Sequence, residues 1–256
     1  MGLLAGKKAL IVGVANEKSI AWAIAEAFKR EGADLAFTYA GEALEKRVVP
    51  LAQSVGSELI LPCDVRSDED IKSVFDQIGK AWGGLDILIH SVAFANREDL
   101  KGSFLNTSRE GFATALDVSA YSLIALAKEA CPLMQGREGS ILAMTYYGGQ
   151  KVFPSYNVMG VAKAALEASV RYLAEAVGPD GIRVNAISAG PLKTLASAGV
   201  GGFNYIAGHV AEKAPLRRNI TQEDVAGSAL YLCSSLARGV TGEIHFVDSG
   251  YNVIGL

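Results

Sequence analysis

Short apolar runs alternate with longer amphipathic stretches along the chain. The first run, Lys8 to Gly13 (KALIVG), is aliphatic, β-branched and closed by glycine, the pattern of a parallel strand buried on both faces. Ser19 to Glu31 then carries helical periodicity, with Ser19 placed to cap it and Gly32 to stop it. The alternation predicts further strands at Asp34 to Tyr39, Ser57 to Leu61, Leu85 to His90, Ser140 to Thr145, Ile182 to Ile187 and Glu243 to Val247. It predicts further helices at Glu42 to Ser54, Ser67 to Trp82, Arg109 to Cys131, Tyr156 to Val177 and Thr221 to Ser235. The last has Thr221 as N-cap, with Glu223 and Asp224 in its first turn. Strands alternating with helices build a parallel sheet covered on both faces. No Pro/Ser-rich linker or shift in composition divides the chain. The expected architecture is therefore one doubly wound α/β domain over residues 1–256, its seven-stranded sheet mostly parallel.

One stretch breaks the alternation. Ala189 to Glu212 mixes glycines with Phe203, Tyr205 and Ile206 after a strand end. A long irregular segment inside a compact domain is usually functional or mobile. It reads as a lid over an apolar ligand, around 194–212, or as a pair of short surface helices; the two are compatible.

Composition narrows the function. Half of the residues are hydrophobic and 20% are charged, as in globular proteins, and the net charge of -3 argues against a sequence-independent grip on nucleic acid. Cys63, Cys131 and Cys233 are far apart and read as buried free thiols in a reducing compartment. His90, His209 and His245 are as scattered, so no metal site is expected. The N-terminal apolar run is too short to span a membrane and no cleavage pattern follows it. Gly6 stands where N-myristoylation wants Ser or Thr. A cytoplasmic protein without membrane or nucleic-acid partners is expected.

Ligands of doubly wound sheets bind beyond the carboxyl ends of the strands, so the residues after each strand are the candidates. Gly13 to Ile20 leads into a helix N-terminus whose amides suit a pyrophosphate, although the G-x-G-x-x-G fingerprint is absent. After the second strand come Tyr39, Ala40, Gly41 and Glu42; the nearest cations for a 2′-phosphate are Lys46 and Arg47, which favours NADH over NADPH. Asp64 and Val65 offer a carboxylate and an amide to an adenine edge, or simply start a helix. Ser91, Val92 and Ala93 are small enough for a flat cofactor to approach. Ser188 to Thr194 is placed to shape the nicotinamide and phosphate end.

The stretch from Thr145 to Lys163 carries the chemistry. Tyr156 and Lys163 are seven residues apart, which on a helix puts them within about 20° of each other and about 10 Å along the axis. Tyr146 approaches from the loop before. A nearby ammonium and a cationic nicotinamide would lower a phenol from its reference pKa of about 10 and make Tyr156 a donor to a developing oxyanion.

These residues carry a family resemblance that runs nearly end to end. It includes GKKALIVGVANEKSIAWAIA, CDV at Cys63 to Val65, HSVAFA at His90 to Ala95, and YYGGQKVFPSYNVMGVAKAALEASVRYLA. It continues through RVNAISAGPLKTLA and PLRRNITQEDV to TGEIHFVDSGY. The chain resembles the bacterial type I enoyl-acyl carrier protein reductases of the divergent short-chain dehydrogenase/reductase superfamily. Ordinary members of that superfamily space tyrosine and lysine by about four residues; here the spacing is seven, with Tyr146 ten residues upstream of Tyr156.

The resemblance implies a Rossmann-type, cytoplasmic homotetramer in fatty-acid elongation. It would use NADH to reduce a trans-2-enoyl thioester presented by acyl carrier protein. By resemblance, Tyr156 donates to the thioester carbonyl, Lys163 holds the nicotinamide ribose, and Tyr146 lines the acyl pocket. Gly13, Ser19, Ile20, Ala40, Asp64, Val65, Val92, Leu192, Lys193, Thr194, Leu195 and Ala196 fall at dinucleotide positions, joined by Ser91 from its place after the fourth strand. Ala95 falls at a substrate position, and the lid follows Thr194. Ala40 replaces a longer polar residue that meets the adenosine ribose, and Ala93 replaces a frequent glycine. The rival readings are a carbonyl/alcohol oxidoreductase of the same superfamily and a non-catalytic dinucleotide sensor.

Overall fold

In the computed structural model, residues 2–195, 197 and 201–255 are described. Seven strands form one sheet: β1 (Lys8–Val12), β2 (Asp34–Tyr39), β3 (Leu59–Pro62), β4 (Ile87–His90), β5 (Ser140–Thr145), β6 (Arg183–Ala189) and β7 (Ile244–Val247). The order is β3-β2-β1-β4-β5-β6-β7 and every pairing is parallel, so the sheet is wholly rather than mostly parallel. The helices are α1 (Ile20–Arg30), α2 (Glu42–Ser54), α3 (Asp68–Trp82), α4 (Arg109–Leu116), α5 (Ser122–Met134), α6 (Asn157–Val177), α7 (Phe203–Lys213) and α8 (Gln222–Cys233).

The period-two alternation of the strands divides the core into two layers. Ala9 and Ile11 of β1 join a layer with Trp22 and Phe28 of α1, Val48 of α2 and Leu232 of α8. Leu10 and Val12 face the opposite layer, with Ile71 and Phe75 of α3, Leu126 of α5 and Leu166 of α6. Each such side chain contributes roughly 2 kcal/mol by leaving water. The capping of α8 follows the sequence: Thr221 and Asp224 form a capping box.

Three details differ from the sequence reading, and one matches an alternative it held open. The helix expected over 109–131 is interrupted by a π-helical turn at Asp117–Tyr121 and runs on to Met134. Tyr156 is the N-cap of α6 rather than its first helical residue. Part of the irregular 189–212 stretch is α7, which matches the surface-helix alternative. Cys63 and Cys233 are buried thiols, but Cys131 is only half-buried. Among the described residues no helix is long and apolar enough to cross a membrane, and no His, Cys, Asp and Glu cluster could hold a metal.

Candidate active site

The order of strands reverses between β1 and β4, and a cleft of about 310 Å³ opens beyond their carboxyl ends. Gly13, Ala40, Asp64, Val65 and Val92, all expected from the sequence, line it, as does Phe94, which was not. Gly13 has φ +110°, and a Cβ there would overlap the Ser91 carbonyl oxygen. Only glycine lets β1 turn this close to the end of β4. The Ser91 amide donates to Val12 O at 2.9 Å, extending the β1–β4 ladder into the cleft wall.

Ser19 sits at the N-cap position but does not cap forward. Its hydroxyl instead accepts from the Ala15 and Asn16 amides at 3.0 and 3.1 Å. It therefore folds the loop and leaves the first amides of α1 to an external anion, which fits a pyrophosphate. Ile20 packs into the core behind it. The Asp64 amide donates to Asp70 Oδ2 at 2.9 Å, which fixes the turn and leaves the Asp64 carboxylate and the Val65 amide as the pair for an adenine edge. That carboxylate is gripped by Arg66 at 2.6 Å, which holds it below the usual range.

Beyond β5 the tyrosines converge. The rings of Tyr146 and Tyr156 lie 5.0 Å apart at 70°, and the Phe153 ring lies 5.1 Å from Tyr146, tilted by 49°. The Gly148-Gly149 turn makes this possible. A Cβ on Gly148 would sit 2.5 Å from the Tyr156 ring, and one on Gly160 would sit 2.8 Å from Gly148 O. The turn thus lies directly on α6.

Lys163 is buried, and its ammonium donates to Met144 O at 2.8 Å. Burial lowers its pKa to about 8, opposed by Glu167. Glu167, one helical turn on, is itself buried and accepts from Thr145 Oγ1 and Gln150 Nε2, each at 2.9 Å. Burial pushes the phenols of Tyr156 and Tyr146 above their ordinary value, with Tyr146 and Glu167 adding to the rise at Tyr156. Burial therefore sets the direction at Tyr156; the lowering expected from the ammonium together with a cationic nicotinamide concerns the cofactor-bound site.

The strand-end residues after β6 are less closely tied to the cleft. Leu192 packs against the core, Lys193 and Leu195 are exposed, and the Thr194 amide donates to Ser197 Oγ at 2.9 Å. Ala196 lies outside the described residues. Ala95 packs on a small cluster of Leu100, Ala115, Val158 and Met159 that also carries Tyr156. A second, nearly closed cavity of about 10 Å³ is walled by Tyr146, Tyr147, Phe153, Val210, Asp248 and Tyr251. Tyr147, Val210, Asp248 and Tyr251 were missed from sequence. Tyr147 adjoins an expected residue, and Glu167 stands at i+4 from Lys163; those were the available signals.

A parallel doubly wound sheet, a cleft at its switch point and a buried lysine beside paired tyrosines define a dinucleotide-dependent oxidoreductase of the short-chain dehydrogenase/reductase class. The model of one family, described as Enoyl-(Acyl carrier protein) reductase, matches residues 13–252, and the chain belongs to that family. It is 55% identical over 256 residues to the NADH enoyl-acyl-carrier-protein reductase FabI of Aquifex aeolicus strain VF5, covering 100% of this chain and 95% of that protein. The FabI of Neisseria meningitidis serogroup B is 52% identical, covering 100% and 98%. The Aquifex crystal structure superposes with a TM-score of 0.97 over 100% of both chains. The Bacillus cereus enzyme, solved with NADP+ and an indole naphthyridinone, is 54% identical with a TM-score of 0.97, again over 100% of both chains.

Proposed function

We propose that the chain reduces the carbon–carbon double bond of a trans-2-enoyl thioester, presented by acyl carrier protein, as a step of fatty-acid elongation. The observation that carries the reading is the Tyr146–Tyr156 ring pair at 5.0 Å above the carboxyl edge of the sheet, with buried Lys163 on the same helix as Tyr156. NADH held there would supply a hydride to the β-carbon, and the enolate so formed would take a proton at the α-carbon. The Tyr156 hydroxyl donates to the thioester carbonyl oxygen as negative charge develops there. Its raised pKa keeps it protonated, as a donor must be. Lys163, aimed by its bond to Met144 O, holds the nicotinamide ribose hydroxyls, and Tyr146 lines the acyl site.

Gly13, Ser19, Ile20, Ala40, Asp64, Val65, Ser91 and Val92 form the adenosine and pyrophosphate site, and Leu192 to Ala196 close its nicotinamide end. A preference for NADH is supported by two cations near the adenosine ribose being engaged: Lys46 pairs with Glu42 and Arg66 with Asp64, each at 2.6 Å. The chain acts as one domain, with 194–212 as a substrate lid.

The working form is a cytoplasmic homotetramer. Phe112, Tyr121 and Ile124 expose a strip of apolar surface along α4 and α5, and β7 is a half-buried edge strand, faces that copies of the chain would cover.

The test follows cofactor oxidation by near-ultraviolet absorbance with a medium-chain trans-2-enoyl thioester, NADH and NADPH in parallel, and a 3-oxoacyl thioester as control. Rapid loss of NADH with the enoyl substrate alone is expected. Turnover of the oxo substrate instead would replace the reading with that of a carbonyl reductase.

A further inference from the structure

Residues other than glycine seldom adopt positive φ, because Cβ crowds the backbone there. Among the described residues two that do so flank Tyr156: Ser155 at +62° and Asn157 at +37°. Asn157 is the first residue of α6, where a helix wants φ near -63°. Such strain persists only where the surroundings over-determine it.

The surroundings are specific. The Asn157 side-chain amide donates to Gly102 O at 3.3 Å. Gly102 lies in the bend between two 3₁₀ turns, Arg97–Leu100 and Phe104–Asn106. Beneath this bond Leu100 packs with Val158 and Met159, and Ala95 and Tyr156 lean on the same cluster. On the other flank a Cβ at Gly201 would meet Ser155 Oγ at 3.1 Å. Behind, the Tyr156 ring rests on bare Gly148. The residue after Tyr156 is thus held by a segment distant in sequence, whereas the peptide before it is tied locally, the Tyr156 amide donating to Phe153 O at 3.2 Å.

We infer that Asn157 is a positioning residue: its bond to Gly102 O fixes the peptide after Tyr156 and so aims the phenol at a substrate lying along the 95–102 segment. The inference rests on Tyr156 being the donor. Asparagine suits the task because it tolerates the left-handed region and carries a neutral donor that reaches a carbonyl. A position chosen for backbone freedom alone would be served by glycine.

Two substitutions separate these roles. Asn157→Asp keeps shape and left-handed tolerance but sets a carboxylate against the Gly102 carbonyl. Asn157→Gly keeps the freedom and loses the donor. Each is expected to lower kcat about tenfold, since small misplacements of a reacting group have effects of that size or larger. KM for the enoyl thioester and the NADH affinity should stay within about twofold, and in a Tyr156→Phe background Asn157→Asp should have almost no further effect.

Wild-type kcat in both variants would overturn the inference. So would equal losses of kcat in the wild-type and Tyr156→Phe backgrounds, which would make Asn157 a general support of the fold. Unchanged turnover in Tyr156→Phe itself would overturn the donor reading first, before the cycle begins. Asn157→Gly carries the test if the Asp variant does not fold.

Discussion

The two cavities differ in what builds them. The cleft of about 310 Å³ at the switch point is walled largely by strand ends and the backbone that follows them, locked by the parallel ladders of β1, β2 and β4. The cavity of about 10 Å³ beyond β5 is walled by four aromatic rings, Tyr146, Tyr147 and Phe153 from one stretch and Tyr251 from another, and Val210 of α7 helps to close it. A space of that size holds at most a water. The first cleft is thus open to a ligand as it stands, whereas the second would have to widen, by movement of its rings or of α7, before it held anything larger. Backbone shape forms the first cavity; side-chain packing forms the second.

The largest expected effect strikes the first cavity. Gly13→Ala imposes a Cβ at φ +110° and drives it into the Ser91 carbonyl. Backbone strain and overpacking together should cost about 3 kcal/mol or more. Denaturant unfolding should show that loss, and fluorescence titration should show NADH binding largely abolished. Retention of both would mean that the strand ends are less fixed than the ladders suggest.

Tyr156→Phe strikes the other half while sparing the first. Loss of one oxyanion donor costs on the order of 3 kcal/mol, or about a hundredfold in turnover. NADH affinity should not move. Single-turnover absorbance measurements, with chemistry limiting, check the first expectation, and titration the second. Weakened NADH binding would show that the two sites are less separable than their construction implies.

Lys163 lines neither cavity but is buried on α6 below the tyrosines, and pH exposes it. Its pKa falls from 10.5 to about 8 in the fold, so between those values the unfolded chain holds a proton that the folded chain has released. Stability from this group is therefore fully present above about pH 10.5 and is lost as pH falls through about 8, by about 3 kcal/mol in all. Cofactor binding should run the opposite way. Above about pH 8 the ammonium is lost, and the NADH dissociation constant should rise by at most about tenfold per pH unit. Lys163→Met should flatten that rise; an unchanged profile would remove the lysine from the ribose contact.

The same contrast explains what the sequence made legible. Period-two and helical patterns are local, so β1 through β7 and most helix limits could be read, and with them the strand ends that line the first cavity. The π turn at Asp117–Tyr121 hid because Leu116, Val118, Leu123 and Leu126 sustain an apolar face through it. Tyr147 and Tyr251 hid because their pairing joins residues far apart in the chain: the Tyr147 hydroxyl donates to Asn252 O across 105 positions. The tyrosine–lysine spacing marked the site, but the burial that raises the phenol was not legible, because spacing reveals a neighbouring charge and says little about burial.

The smallest expected effect tests the rim of the first cavity. Lys46 is exposed and pairs with Glu42 across one helical turn at 2.6 Å, just past the cleft residues Tyr39 and Ala40. An exposed pair of this kind contributes about 0.3–0.5 kcal/mol. Glu42→Gln removes one negative charge and frees the lysine for a 2′-phosphate. NADPH affinity should therefore improve about twofold at low ionic strength, with the gain vanishing at about 0.5 M salt as charges are screened. NADH affinity should stay constant throughout, because it lacks that phosphate. A gain for both cofactors would point instead to a shift in the turn at Gly41 and α2, and would show that even the preformed cavity yields at its rim.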